Sequence, residues 1–452
     1  MEWSKYNHLF ESKKHGYLLF NAETNSFAKL DKDTYKNLKL IENNNKSIDE
    51  LDKELVKDLE SADILVKDPL NFLHKKRLHY YFNAFDTANL GLAIAPTTHC
   101  NFNCSYCYEE NRKPIYMSIE TEKNIIKFIT KHDRVKNLRI TWYGGEPLLG
   151  FDSIKRLLKE FKKINTAKLT SHTMTTNGYL LDEEKSLFFS EHPLDTIQIT
   201  IDGTKEYHDK RRRLAPNNQP TFDKIVKNID KFVFHNPNTR VVIRVNLDKS
   251  NKNSFINIYN EFNKRWKEQG HNVIVTPAFV KDFSSVTKEF DIKGCKDLLC
   301  LDKIQIIDFF EELYKKHELD VKFAPEHTIG GCGATVVNYY VVGPKGELYK
   351  CWNDIGDKSK IVGHVDSDEI ADYELLTRYL AGQTMLDSQE CRDCKLFPIC
   401  DGGCKWARDK NIYEGGELEL CSYRKDSMDK AFEIYYEQLS IENHLIKNEC
   451  NK

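Results

Sequence analysis

Between residues 90 and 280, short runs rich in β-branched residues alternate with amphipathic segments, and this alternation restricts the fold more than any other feature. The runs fall at 92–95, 138–142, 169–175, 196–201, 241–247 and 273–275. Between them, 118–130 places Ile125, Ile126 and Ile129 on one helical face, and 153–161 does the same with Ile154, Leu157, Leu158 and Phe161. A strand–helix order repeated six times predicts a parallel sheet with right-handed crossovers. Six units fall short of eight-fold closure, so the expected architecture is α/β, an open, TIM-like partial (β/α)6 barrel. In such folds the loops after the strands' C-terminal ends carry function.

The first of those loops reads HCNFNCSYCYE and spaces Cys100, Cys104 and Cys107 as C-x3-C-x2-C. Three thiolates on one short loop suit one inorganic cluster and leave it a ligand short, since structural zinc and ordinary ferredoxin clusters take four. A site short of a ligand is open for chemistry. Two other readings stand beside this one: His99 would complete a zinc site, or the three are buried thiols.

Gly144-Gly145-Glu146-Pro147 follows the second run and Thr176-Asn177-Gly178 the third, while the fourth ends in Thr200-Ile201-Asp202-Gly203. Glycines let a ligand approach the backbone, and Glu, Asn and Thr offer partners for an amino acid and a ribose. Each motif alone is also ordinary turn chemistry. On the fifth run Arg244 and Asn246 alternate with Ile243 and Val245 and point into the barrel, as ligand contacts or as a satisfied polar pair. His208, Asp209 and Arg212 suit a loop-ordering ion pair better than an acid–base set.

Cysteine distribution divides the chain. Of 13 cysteines in 452 residues, none precedes Cys100, three lie by Cys107, and the rest begin at Cys295. In a reducing compartment they read as ligands rather than as a disulfide framework. The charge balance, 67 basic against 69 acidic residues, argues against a nucleic-acid or membrane-surface binder. MEWSKYNHLF lacks the pattern of a secretion signal and no window approaches a membrane span, so a cytoplasmic protein is expected.

Four regions result. In 1–85, strands at 17–20 and 26–30 flank a polar turn, and a capping box Ser47-x-x-Glu50 opens a helix carrying Ile48, Leu51, Leu55 and Leu59. That order fits a winged-helix-like module, and its acidic helices disfavour DNA; a plain packing extension is the alternative. The barrel takes 86–285, and a connector at 286–329 holds Cys295, Cys300 and a helix near 303–314. Region 330–452 carries Cys332, then Gly346-x4-Cys351, then Cys391-x2-Cys394-x5-Cys400-x3-Cys404 and Cys421, before a helical tail with Met428, Ala431, Phe432 and Tyr435. Its cysteine knuckles also allow zinc. Asp354 and Asp401, close to these cysteines, are candidate bases, though such residues are more often exposed loop acids.

Over about residues 88–280 the chain resembles the radical S-adenosylmethionine superfamily, whose loop C-x3-C-x-aromatic-C is met by Cys100, Cys104, Tyr106 and Cys107. The resemblance implies a 4Fe-4S cluster on these cysteines, with its fourth iron chelated by the amino and carboxylate groups of S-adenosylmethionine. It implies that Tyr106 lies by the adenine and that Gly144, Gly145 and Glu146 hold the methionine amino group. Asn177, Thr200 and Arg244 become further cofactor contacts.

Residues 330–425 resemble the seven-cysteine SPASM extension of peptide-modifying radical enzymes. That resemblance implies one auxiliary 4Fe-4S cluster on Cys391, Cys394, Cys400 and Cys421 and another on Cys332, Cys351 and Cys404. The second is completed by a cysteine such as Cys295 or Cys300, or left open. The implied protein is a maturase of ribosomally made peptides with three 4Fe-4S clusters and an external electron donor such as flavodoxin or ferredoxin. It would recognise a precursor's leader through its N-terminal module and close a thioether or carbon-linked crosslink. The alternatives are a sulfatase-maturing enzyme that oxidises Cys or Ser to formylglycine, or a non-catalytic peptide-binding metal scaffold. Sulfatase-maturing enzymes generally place an acid directly after the cysteine matching Cys351 and use eight cysteines; here Trp352 follows and one cysteine is missing.

Overall fold

The structure, a computed structural model, describes residues 1–104, 106–107, 113–281, 300–319, 321, 323, 325–328 and 331–449, with 441–449 described by their backbone alone. Cys295, a candidate auxiliary ligand, lies outside the described residues. Six parallel strands, Asn89–Ile94, Asn137–Trp142, Lys168–Thr176, Thr196–Ile201, Arg240–Leu247 and Val273–Phe279, lie side by side in chain order. Each predicted run falls on one of them. Helices Ile119–Lys131, Phe151–Phe161, Glu183–Glu191, Phe222–His235 and Phe255–Phe262 make the crossovers.

Residue chemistry accounts for this arrangement. Ser118 caps the first crossover helix by accepting from the Thr121 amide, and its apolar stripe buries Ile125 and Ile129. On the fourth strand Ile197, Ile199 and Ile201 are fully buried beneath helices, while Gln198 and Thr200 turn to the other face. That inner face is polar from strand to strand. The hydroxyls of Thr141 and Thr173 meet at 2.9 Å, and Thr200 pairs with Arg244 across neighbouring strands.

Past position 330 the sheet continues. Tyr339–Val342 adds parallel to the first strand, followed by antiparallel Glu347–Tyr349 and Gly363–His364, for nine strands in all. Gly91 is required at the junction, because a Cβ there would stand 2.7 Å from the Tyr339 ring. Among the described residues, no helix is long and apolar enough to cross a membrane.

The N-terminal region begins with an antiparallel sheet of Asn7–Ser12, Gly16–Asn21 and Ser26–Leu30, then helices Lys32–Glu42, Lys53–Ser61 and Asn71–Ala84. The first of these strands was not foreseen. The expected helix from Ser47 is broken: its capping box closes only the turn Ile48–Glu50, Leu51 is extended, and Asp52 caps a new helix through the amides of Glu54 and Leu55. One face of the sheet packs on the helix Met428–Glu449, with Phe20 and Phe432 ring centres 4.1 Å apart and His8 Nε2 2.7 Å from Asp429 Oδ1. Phe432→Ala is therefore expected to cost about 3–5 kcal/mol in urea unfolding. Phe234→Ala, at a position 74% exposed, should cost less than about 0.5 kcal/mol. Equal effects would contradict the packing assignment.

Candidate active site

The cysteine loop leaves the first strand and is held from two sides. Cys104 ends the short strand Phe102–Cys104, which pairs antiparallel with Arg212–Leu214 so that Cys104 faces Arg212. From the other side the Gly144-Gly145-Glu146 loop presses onto Thr97–His99. The Gly145 amide donates to Thr97 O at 3.2 Å and the Glu146 amide to His99 O at 2.9 Å. A Cβ on Gly145 would sit 2.4 Å from His99 O, and Gly144 has φ +110°, so both positions require glycine.

Glu146 is fully buried. Its carboxylate accepts from the Leu148 amide at 3.0 Å, the Thr176 hydroxyl at 2.7 Å and the Asn177 amide at 2.8 Å. Burial raises its pKa in spite of these bonds. The carboxylate thus joins the second strand-end loop to the third. Asn177 continues the chain of contacts: its Nδ2 donates to Asn101 Oδ1 at 2.8 Å and stands 3.9 Å from Cys100 Sγ.

A second buried network stands behind the loop. The Tyr106 hydroxyl donates to Asp202 Oδ1 at 2.7 Å and accepts from Arg212 Nη1 at 2.9 Å and Asn246 Nδ2 at 3.0 Å. Asp202 is inaccessible to solvent, and burial holds its carboxyl above the usual range against the pull of Arg212. His208 is also buried, with its ring between the Asp202 amide and the Thr221 hydroxyl, and desolvation drives its pKa well down. Asp209 accepts from the amides of Thr221 and Phe222 at the start of the fourth crossover helix. These bonds give His208, Asp209 and Arg212 a loop-ordering role. Arg244 is exposed on the inner face, two residues below Asn246, whose Oδ1 accepts from Arg244 Nε at 3.1 Å.

The residues fit an iron–sulfur cluster. Cys100, Cys104 and Cys107 lie close enough to act on one another, and burial pushes the Cys100 and Cys104 thiols up, which a metal's charge would reverse. Asn101 Nδ2 and Arg212 Nε are buried without a hydrogen-bond partner around the same loop, polar capacity that a bound group can use, while Asp202 Oδ2 and Arg211 Nη1 form an ion pair at 3.9 Å. His99, the candidate zinc ligand, turns its Nδ1 to the Tyr116 hydroxyl at 2.7 Å. Among the described residues, no three His, Cys, Asp or Glu converge as a single ion requires.

The C-terminal cysteines gather in two places. Cys391, Cys394, Cys400 and Cys421 line one cavity of about 100 Å³. Hydrogen bonds to sulfur come from Arg408 Nη2 to Cys391 at 3.5 Å, the Gly402 amide to Cys400 at 3.3 Å and Lys425 Nζ to Cys421 at 3.5 Å. Such donors favour thiolates and an anionic group among them. Cys332, Cys351 and Cys404 form the other group: burial pushes the Cys332 and Cys351 thiols up, and Cys404 is close enough to add to both. Next to Cys351, Trp352 is 43% exposed and stacks on Tyr143, which precedes Gly144, with ring centres 5.2 Å apart. This stack connects the Cys351 loop to the second strand-end loop.

Of the candidate bases, Asp401 is exposed, but Asp354 is buried. It accepts from the Tyr379 hydroxyl at 2.7 Å and Trp406 Nε1 at 2.8 Å, and burial pushes its carboxyl up to about 6. It braces the Cys351 loop. Sequence spacing also gave no sign of three buried lysines, Lys76, Lys350 and Lys405, beside these cysteines.

Six parallel strands with cysteine-bearing and glycine-bearing loops at one end define an α/β fold with its candidate site at the strands' C-terminal ends. Residues 94–262 match the Radical SAM superfamily, so the chain carries a radical SAM domain and is an enzyme. A 4Fe-4S cluster and S-adenosylmethionine are the cofactors of that superfamily. A cysteine-type anaerobic sulfatase-maturating enzyme of Clostridium novyi is 25% identical over 355 residues, 72% of this chain and 91% of that protein. The radical SAM cyclopropyl synthase TigE of Paramaledivibacter caminithermalis is 21% identical over 445 residues, 90% of each chain. The solved structure of Streptococcus suis SuiB bound to precursor peptide SuiA is similar in fold, with a TM-score of 0.51 at 18% identity over 89% of this chain and 95% of that one.

The folded protein holds the Asp354 proton more tightly than the unfolded chain does. This group therefore favours folding at acid pH, and that advantage is lost as pH rises from about 4 to about 6. Asp354→Asn is expected to remove a loss of about 2–3 kcal/mol, seen when urea-unfolding free energies are compared across that window. Parallel pH profiles for the two proteins would contradict the assignment.

Proposed function

We propose that the protein is a SPASM-type radical maturase that binds a ribosomally made precursor peptide and closes a thioether or carbon-linked crosslink in it. The reading assigns Cys100, Cys104 and Cys107 to the radical-generating 4Fe-4S cluster, Cys391, Cys394, Cys400 and Cys421 to one auxiliary cluster, and Cys332, Cys351 and Cys404 to another. When bound, the first cluster and S-adenosylmethionine supply a one-electron cleavage whose carbon radical takes hydrogen from the substrate. Closing a bond this way would remove two electrons and two protons from the peptide: one of each leaves as the hydrogen atom that the carbon radical takes, the other electron leaves through an auxiliary cluster and the other proton to a base, while the electron that drives the cleavage comes from a flavodoxin or ferredoxin.

The chain's own residues orient and enclose. With its carboxylate committed to Thr176 and Asn177, Glu146 fixes the loop, whose Gly144, Gly145 and Glu146 would hold the methionine amino group of bound S-adenosylmethionine. Tyr106, held by Asp202 and Arg212, backs the adenine. Asn177, Thr200 and Arg244 would line the way from the cysteine loop along the polar inner face, where the peptide's reacting residue would sit.

The observation that carries the peptide reading is the N-terminal sheet, whose Ser26–Leu30 strand pairs on one side only among the described residues. Such an edge accepts an extended leader as an added strand, the task of a winged-helix-like recognition module. A groove of about 1210 Å³ on the same module, with Trp3, Leu51 and Val56 among both lysines and acids such as Lys53, Lys57, Asp49 and Glu60, suits an amphipathic leader. The likeness to TigE and to SuiB, which was solved with a precursor peptide, spans 90% and 89% of this chain, whereas the sulfatase-maturating relative spans 72%.

A second reading, oxidation of a Cys or Ser to formylglycine, is favoured by that sulfatase-maturating relative at 25% identity. Against it stands Trp352, stacked on Tyr143 where those enzymes carry an acid.

Changing Cys100, Cys104 and Cys107 together to Ala is expected to abolish 5′-deoxyadenosine formation and to lower iron by about four per chain. Retained product would refute the assignment. With the precursor peptide, each crosslink is expected to lower its mass by about two daltons. A peptide that instead gains an aldehyde would select the second reading.

A further inference from the structure

Among the described residues, every fully buried lysine stands beside the C-terminal cysteines: Lys76, Lys350 and Lys405 are 3%, 0% and 6% exposed. Lys350 directly precedes Cys351, and its Nζ donates to Val336 O at 2.5 Å and Tyr339 O at 2.6 Å. Among the described residues it forms no ion pair with a carboxylate; its Nζ lies 4.9 Å from the centre of the Tyr340 ring, and Cys332 is near enough to act on it. Lys76 reaches the other cysteine group from the helix Asn71–Ala84 of the N-terminal region. Its Nζ donates to Phe397 O at 2.8 Å, Cys400 O at 3.1 Å, Pro398 O at 3.3 Å and Thr328 Oγ1 at 3.2 Å. The opposing charges near it are Asp401 and Cys400. Lys405, which follows Cys404, gives one bond to Gln383 O at 3.2 Å and has Asp409 as its main counter-charge.

Removing an ammonium from water costs more than bonds to neutral carbonyls return, so a buried lysine needs an anion nearby. Lys350 has none of its own except the cysteines. An iron–sulfur cluster on cysteine thiolates is an anion whose charge grows by one on reduction, and net charge and hydrogen bonding are the levers that set its potential. A fixed cation in a low-dielectric interior favours the reduced, more negative form.

We propose that Lys350 and Lys76 are the counter-charges of the two auxiliary clusters, one each, and that they hold those clusters' reduction potentials up so that they accept electrons. The inference rests on the assignment of the C-terminal cysteines as cluster ligands. It makes both lysines positioning residues for the electron's exit, and it places one of them on a helix of the peptide-binding region. Since Lys76 joins that helix to the Cys391–Cys400 loop through three carbonyls, movement of the helix would be felt at the cluster.

The test is a redox titration of the anaerobically reconstituted full chain, followed by electron paramagnetic resonance. Lys350→Met is expected to shift one auxiliary signal at least tenfold toward the oxidised form, about 59 mV for one electron. Lys76→Met should shift the other signal and leave the first in place, while Lys123→Met, at an exposed position, should move neither. Variants with full iron and unmoved midpoints would overturn the inference, and so would loss of auxiliary iron from both, which would make the lysines loop supports only. A wild-type protein that takes up a single cluster would overturn the underlying cluster assignment, and this is seen before any variant is made.

Discussion

One buried carboxylate holds the site together. Glu146 lies where the second strand ends, yet its bonds run to Thr176 and Asn177 at the end of the third, while its own amide fastens to His99 beside the first cysteine. Three strand-end loops are thereby fixed to one another by a group that is inaccessible to solvent. Because its oxygens are all engaged by donors, the burial is tolerated, and the arrangement has little freedom to relax. The glycines before it permit the close approach, at 2.4 Å from a would-be Cβ of Gly145 to the His99 carbonyl.

From that tie outward the layers follow a common logic. Tyr106, on the far side of the cysteine loop, is fastened in the same manner to Asp202, Arg212 and Asn246 at the ends of later strands or beyond them. The loop is thus braced on both flanks by buried, charge-assisted hydrogen bonds. At the C-terminal cysteines Arg408, Lys425 and the Gly402 amide are directed at sulfur, and Cys100 likewise accepts from the Phe102 amide at 3.5 Å.

Much of this was legible in the chain because it depends on local chemistry. The six central strands were marked by β-branched runs, and their alternation also foretold the polar inner face that presents Thr200 and Arg244. What escaped depends on distant partners. Tyr339–Val342 joins the first strand across some 250 residues of sequence, which no periodicity announces. The helix expected from Ser47 failed because Asp52 offered a competing cap. Asp354 looked like a loop acid, and its burial comes from Tyr379 and Trp406, each far along the chain. The buried lysines are the clearest case: in sequence they are indistinguishable from surface lysines, and only folding brings Lys76 to the carbonyl of Cys400.

In the proposed function the Cys100–Cys107 loop carries a cluster with one open iron, and S-adenosylmethionine fills the position. Electron paramagnetic resonance of the reduced, anaerobic protein with and without S-adenosylmethionine tests it directly. One cluster signal is expected to change on addition while the auxiliary signals stay as they were. Identical spectra in the two samples would contradict it.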